Sequence, residues 1–162
     1  MVNERVAHSG AAGHGDAQAV AVRSAEIMLA NDRATAALGM LLIDVAPGHA
    51  VVAMTVREDM VNGWGSCHGA MVAAVADTAF AVACNSFGEI TIAAGFDITF
   101  LAPVRAGDQL FATAMRRSGA GRSGIYDVSI SRPDADGGDM TVAEFRGRSR
   151  SLGRPVETDA QA

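Results

Sequence analysis

Hydrophobic and polar positions alternate in blocks along the chain. From about Asp16 to Leu38 the sequence is rich in Ala, Leu, Met and Glu, and Gly39 follows, which predicts a helix closed by a glycine cap. Met40 to Ala46 and Ala50 to Arg57 are apolar and β-branched on either side of Pro47-Gly48, the signature of a hairpin. Cys67 to Asn85 is apolar on nearly every face, and Gly88 is placed to stop it, so it reads as a long buried helix. Four strand-like runs follow: Thr91 to Leu101, Asp108 to Arg117, Gly124 to Arg132 and Met140 to Ser149. The turn compositions PVRAG (103–107), SGAGR (118–122) and PDADGG (133–138) separate them. One amphipathic seam cannot satisfy a helix that is apolar all round, so a curved antiparallel sheet must wrap it. The expected class is α+β, a central apolar helix in a sheet with an extra N-terminal helix. Residues 1–15 lack periodicity and read as a loose arm carrying His8 and His14, while 153–162 are polar and read as a frayed tail.

At 162 residues the chain holds one core, assigned to residues 16–152. A formal charge of −5 offers no basic footprint, which argues against nucleic acid and anionic membranes as partners. All 13 cationic residues are Arg, which excludes a Schiff-base lysine. The two cysteines, Cys67 and Cys84, form no paired motif, so neither a disulfide scaffold nor a metal site is expected, and a reducing cytoplasm fits. No secretory signal opens the chain, and the run Ala70 to Cys84 is about a turn short of a membrane span.

The chemistry concentrates in the long helix, where a single carboxylate, Asp77, interrupts the apolar run. A carboxylate in apolar surroundings holds its proton more tightly and has few solvating waters, which suits a general base or a nucleophile. The structural alternative is a buried acid satisfied by local donors such as Thr78. Ser66 is the expected N-cap, which puts Cys67, His68 and Gly69 in the first turn, where backbone N–H groups lack intrahelical partners. Such donors, with the helix dipole, hold an anion or a developing oxyanion, and Gly69 lets a ligand reach the backbone. Eight residues at about 1.5 Å each separate Gly69 from Asp77 by about 12 Å, so one chain cannot bring both to one carbonyl. If both act on one bond, the donor comes from one subunit and the acid from another across a two-fold axis.

The stretches Asn62-Gly63-Trp64-Gly65-Ser66-Cys67-His68-Gly69, Ala76 to Ala81 and Ala83-Cys84-Asn85-Ser86 resemble the hotdog-fold acyl-CoA thioesterases of the phenylacetate-degradation (PaaI) type. So do Phe100-Leu101-Ala102-Pro103, Ala106-Gly107-Asp108, Gly124 to Val128 and Phe145 to Ser149. The likeness runs from about Ala25 to Leu152 and implies a dimer, often a homotetramer built as a dimer of dimers, with active sites at the dimer interface. It implies no metal and no cofactor. The acid matching Asp77 would activate water or attack the thioester, the N–H matching Gly69 would polarise the carbonyl, and Asn62 would help place the reacting groups. His68 either orients the thioester or caps the helix. Trp64, where relatives usually have His, and Ala70, where they have a second Gly, join Thr78 as candidate acyl-pocket residues. Arg105, Arg122, Arg146, Arg148 and Arg150 are candidates for the phosphates of coenzyme A, with Arg122, Arg148 and Arg150 preferred. The implied activity is hydrolysis of acyl-CoA thioesters, aryl-acyl ones such as (hydroxy)phenylacetyl-CoA first. The rivals are a hydratase or dehydratase of the same fold, which wants a histidine such as His49 or His68 facing an acid, and a binding module that does not turn acyl-CoA over.

Overall fold

The computed structural model describes residues 10–157. Elements run α1 (Gly10–Ala30), α2 (Arg33–Ala37), β1 (Leu41–Ala46), β2 (His49–Thr55), a 3-10 turn (Glu58–Met60), α3 (Gly69–Asn85), β3 (Glu89–Phe100), β4 (Gln109–Ala120), β5 (Ser123–Pro133) and β6 (Asp139–Pro155). The six strands form one antiparallel sheet in the order β1-β2-β4-β5-β6-β3. The expected α+β hotdog arrangement is present: α3 lies in the sheet, touching β1 to β6 in turn.

Local chemistry sets the turns. Ala46 pairs with His49, so Pro47 and Gly48 are the two central residues of the first hairpin, with Pro fixing the first and Gly48 at φ +74 taking the second. Gly88, at φ +81, turns the chain from α3 into β3, and Asn85 fastens that turn by exchanging bonds with the backbone of Thr91 in both directions, each 2.8 Å. The helix buries Val75, Ala76, Ala79, Phe80, Val82 and Ala83 against sheet residues such as Val52, Met54, Leu110, Val128, Ile130 and Phe145. Phe80 is the keystone, with ring centroids 5.5 Å from Tyr126 and 5.8 Å from Phe145. Burying a side chain of that size stabilises by about 1.5–3 kcal/mol. Gly147 lies beneath it: a Cβ there would come 2.7 Å from the Phe80 ring, so only glycine lets strand and helix meet this closely.

Three expectations need correction. Residues 10–15, read as loose arm, are the first turns of α1, because Ala11 and Ala12 continue a helix that no proline or cap interrupts; His14 is in that helix, and His8 lies outside the described residues. The single helix over 16–38 is broken at Asn31-Asp32, where the Asp32 carboxylate accepts from Thr35 N (2.9 Å) and Thr35 Oγ1 (2.6 Å) and starts α2 instead. The tail is not frayed over 153–157: β6 pairs as far as Pro155 with Glu89, and Val156 is buried with its N–H donating to Gly88 O at 3.0 Å. Residues 158–162 lie outside the described residues.

Candidate active site

The loop before α3 is built by Asn62. Its Oδ1 accepts from Trp64 N (2.9 Å) and Ser66 N (3.3 Å), its backbone closes onto Ser66 O (2.8 Å), and Gly65 takes φ +75 so that the chain can return. Cys67 N then donates to Val104 O (2.7 Å) and His68 N to Met60 O (2.8 Å). Those two bonds keep residues 67 and 68 outside the helix, so the cap is His68 and not Ser66. His68 is extended at φ −62, ψ 130, and its Nδ1 accepts from Ala70 N at 3.4 Å.

Gly69 is therefore the first helical residue, and its N–H donates to no acceptor among the described residues. It opens into a cavity of about 510 Å³ lined by Ser66, Cys67, Val72, Phe100, Val104 and Val142 among others. A Cβ on Gly69 would come 2.9 Å from Phe100 Cζ, so any larger residue has to push the phenyl ring aside. The sequence patterning did not single out Phe100 as part of the site. Its signal was there in the apolar end of β3, but nothing local to it points at a residue 31 positions earlier.

Asp77 is half-buried on α3, burial raises its carboxyl above the usual aspartate range, and no described residue donates a hydrogen bond to it. The Thr78 hydroxyl does not satisfy it. Asp77 shares a half-open helix face with Ala70, Ala74, Thr78 and Ala81, in contrast to the fully buried Val75, Ala76, Ala79 and Phe80 opposite. Neither thiol competes as a nucleophile at neutral pH: burial pushes Cys84 up to about 12, and burial with the Asp108 charge raises Cys67.

Of the other candidates, Trp64 stands 93% exposed at the loop tip. Arg146 is held by Asp127 (2.7 Å) and Arg148 by Asp97 (2.6 Å), both on the exposed side of the sheet. Arg150 reaches Ser123 Oγ at 3.4 Å, and Arg122 lies in the β4–β5 turn beside a second cavity. Among the described residues no His, Cys, Asp or Glu cluster is arranged to hold a metal, and no helix is long and apolar enough to cross a membrane.

A long helix wrapped by an antiparallel sheet is the layout of a hotdog fold, and residues 65–137 match the family model of the thioesterase superfamily. The chain is 43% identical over 138 residues to the acyl-coenzyme A thioesterase PaaI of Escherichia coli, covering 85% of this chain and 96% of that protein. The solved structure of E. coli PaaI superposes with a TM-score of 0.80, covering 85% of this chain and 97% of the other. The TT0310 protein of Thermus thermophilus superposes at 0.69 with 34% identity, over 75% of this chain and 99% of that one. The chain belongs to the thioesterase superfamily, and within it to the acyl-CoA thioesterases of the PaaI type.

Proposed function

We propose that the protein hydrolyses acyl-CoA thioesters to a free acid and coenzyme A, in a dimer that joins Gly69 of one subunit to Asp77 of the other. The observation that carries this reading is the Asp77 carboxylate, half-buried and given no hydrogen bond by the described residues, on a helix face lined with small residues. Small side chains let a second helix approach closely. The adjoining edge strand β3 supports the same arrangement, since Phe96 and Phe100, on its helix side, are 43% and 52% exposed and await a cover. Two such dimers paired through further sheet surface would give the tetramer.

In the reaction the thioester carbonyl oxygen sits against the Gly69 N–H, where the helix dipole favours the growing negative charge. Asp77 of the opposite subunit takes a proton from water, the resulting hydroxide adds to the carbonyl carbon, and the tetrahedral intermediate expels the thiolate, which is reprotonated. The alternative route has the carboxylate add directly and water cleave the mixed anhydride. Asn62 contributes its amide N–H₂, which no described residue uses, to hold the water or the carbonyl. His68 helps by capping: its ring nitrogen fixes the Ala70 N–H and leaves that of Gly69 free. Arg122 and Arg150, with no carboxylate partner among the described residues, are the candidate cations for coenzyme A phosphates; Arg148 reaches them only by leaving Asp97.

An aryl-acyl group follows from the E. coli relative, described as the PaaI protein of the phenylacetic acid degradation operon. Trp64 offers the ring to stack on it, with Ala70 and Thr78 shaping the approach. The hydratase reading loses ground because His49 is engaged by Ala114 O (3.0 Å) and Asp44 (3.3 Å) on the far hairpin. The test is loss of thioester absorbance over a panel of aryl- and alkyl-CoA substrates. Turnover that falls by orders of magnitude in a dimeric Asp77→Asn variant supports the proposal; equal inertness with retained ligand binding moves the assignment to a binding module.

A further inference from the structure

A second cavity, of about 230 Å³, opens at the C-terminal end of α3, where Cys84, seven residues after Asp77, forms part of its wall. Two cations line it without a carboxylate partner among the described residues. Arg116 stacks over Phe87 at 4.9 Å, and the Arg122 side chain makes no ion pair or hydrogen bond among the described residues. Tyr126, 3% exposed, lines the same cavity, and its hydroxyl has no partner among the described residues. Burial raises this phenol to about 12, so it keeps its proton at neutral pH and remains a donor. The one acid in the wall, Glu89, is occupied in accepting from Ser151 Oγ at 2.6 Å.

Glycines hold the space open. A Cβ on Gly124 would meet Ser149 Oγ at 2.7 Å and the Tyr126 ring at 2.9 Å, one on Gly153 would meet Arg122 Nη2 at 3.3 Å, and one on Gly119 would collide with the Arg116 guanidinium. A phenol donor at the wall beside two guanidiniums that make no ion pair among the described residues attracts negative charge. We infer that this cavity binds a compact anion, a carboxylate or a phosphate group, through the Arg116 and Arg122 guanidiniums and the Tyr126 hydroxyl. Along the helix axis Cys84 lies about 10 Å beyond Asp77, within reach of the far end of an acyl group or of a coenzyme A phosphate. Which of the two arrives rests on the thioesterase reading; the anion site itself does not.

Tyr126 is the only tyrosine in the chain, so a fluorotyrosine-labelled protein carries one fluorine NMR signal, at the cavity. Titration with inorganic phosphate and with adipate is expected to shift that signal saturably, with binding weakened at least about tenfold in Arg116→Ala and Arg122→Ala. No saturable shift with either probe, or a shift undiminished in the double variant, overturns the inference. Kinetics then name the source. A loss in Arg122→Ala confined to adipyl-CoA over hexanoyl-CoA assigns the acyl end, and a loss of the preference for coenzyme A over 3′-dephospho-CoA as inhibitor assigns the phosphate. Saturable anion binding with neither loss supports a free anion as the ligand. Failure of the thioesterase reading looks different: no thioester is turned over while the fluorine signal still responds.

Discussion

Replacing Gly69 with proline and, separately, with alanine isolates one hydrogen-bond donor. Gly69 is the first residue of α3, a position where proline fits because no intrahelical bond uses that N–H. His68, at φ −62 and ψ 130, already has the extended conformation that a following proline demands. Both substitutions add the same Cβ, 2.9 Å from Phe100 Cζ and 3.3 Å from Cε2. Phe100 is half exposed at the end of an edge strand, so its ring gives way, and the shared cost is about 1 kcal/mol. Only proline removes the N–H. Loss of one oxyanion donor costs about 10²–10³ in kcat, so Gly69→Pro is expected to hydrolyse its best thioester at least about a hundredfold more slowly than Gly69→Ala. The assay is loss of thioester absorbance, with thermal unfolding of the two variants compared alongside. Equal rates in two equally stable variants would refute the assignment of this N–H to the carbonyl oxygen.

Gly147→Ala pushes a methyl to 2.7 Å from the fully buried Phe80 ring, and denaturant unfolding is expected to show a loss of about 1–3 kcal/mol. Asp77→Asn is expected to be more stable than the wild type at neutral pH but not near pH 3. Burial raises the folded carboxyl above its unfolded value, so the native state holds the proton more tightly and wild-type stability falls as pH rises through that window. Urea melts at the two pH values check this, and a neutral-pH advantage for the wild type would mean that the opposite subunit supplies donors to the acid. Ala74→Arg, on the half-open face beside Asp77, is expected to keep its circular dichroism spectrum yet sediment as a monomer without activity. An active monomer would contradict a site shared between subunits.

The elements that could be read locally came through. Pro47-Gly48 makes its hairpin, Gly88 ends the long helix, and a lone acid on an apolar helix is visible in any printout of the chain. One failure was local, the break where the Asp32 carboxylate caps Thr35, and two others depended on carbonyls outside the segment being read. Ser66 is the better capping residue by type, but Val104 O and Met60 O take the N–H groups of Cys67 and His68 and delay the helix by two residues. The tail reads as polar and loose because its docking partner, Gly88 O, is 68 residues upstream of Val156. The anion cavity was illegible for the same reason. Arg116, Arg122, Tyr126 and Glu89 come from separate strands and a turn, and no spacing in the sequence announces that they share a wall.

The proposed shared site would make contrary demands on one helix, and the sequence of α3 meets them by assigning each to a different face. The side toward the sheet needs bulk, and Val72, Val75, Phe80 and Val82 supply it. The opposite side must admit a second helix while keeping a carboxylate poorly solvated, which calls for side chains too small to fill the space themselves. Ala70, Ala74, Thr78 and Ala81 meet that need around Asp77, and a monomer pays with an acid that no described residue satisfies. A larger residue on this face would do more for the isolated subunit, burying surface that alanine leaves half-open. It would also hold the two helices apart, and the 12 Å that separates Gly69 from Asp77 on one helix, about eight residues of rise, is closed only by a neighbour. In the proposed dimer, pairing two copies across this face would bring the donor and the acid to one carbonyl without bending either helix, so the features that leave the single chain incomplete are those that a shared site would require.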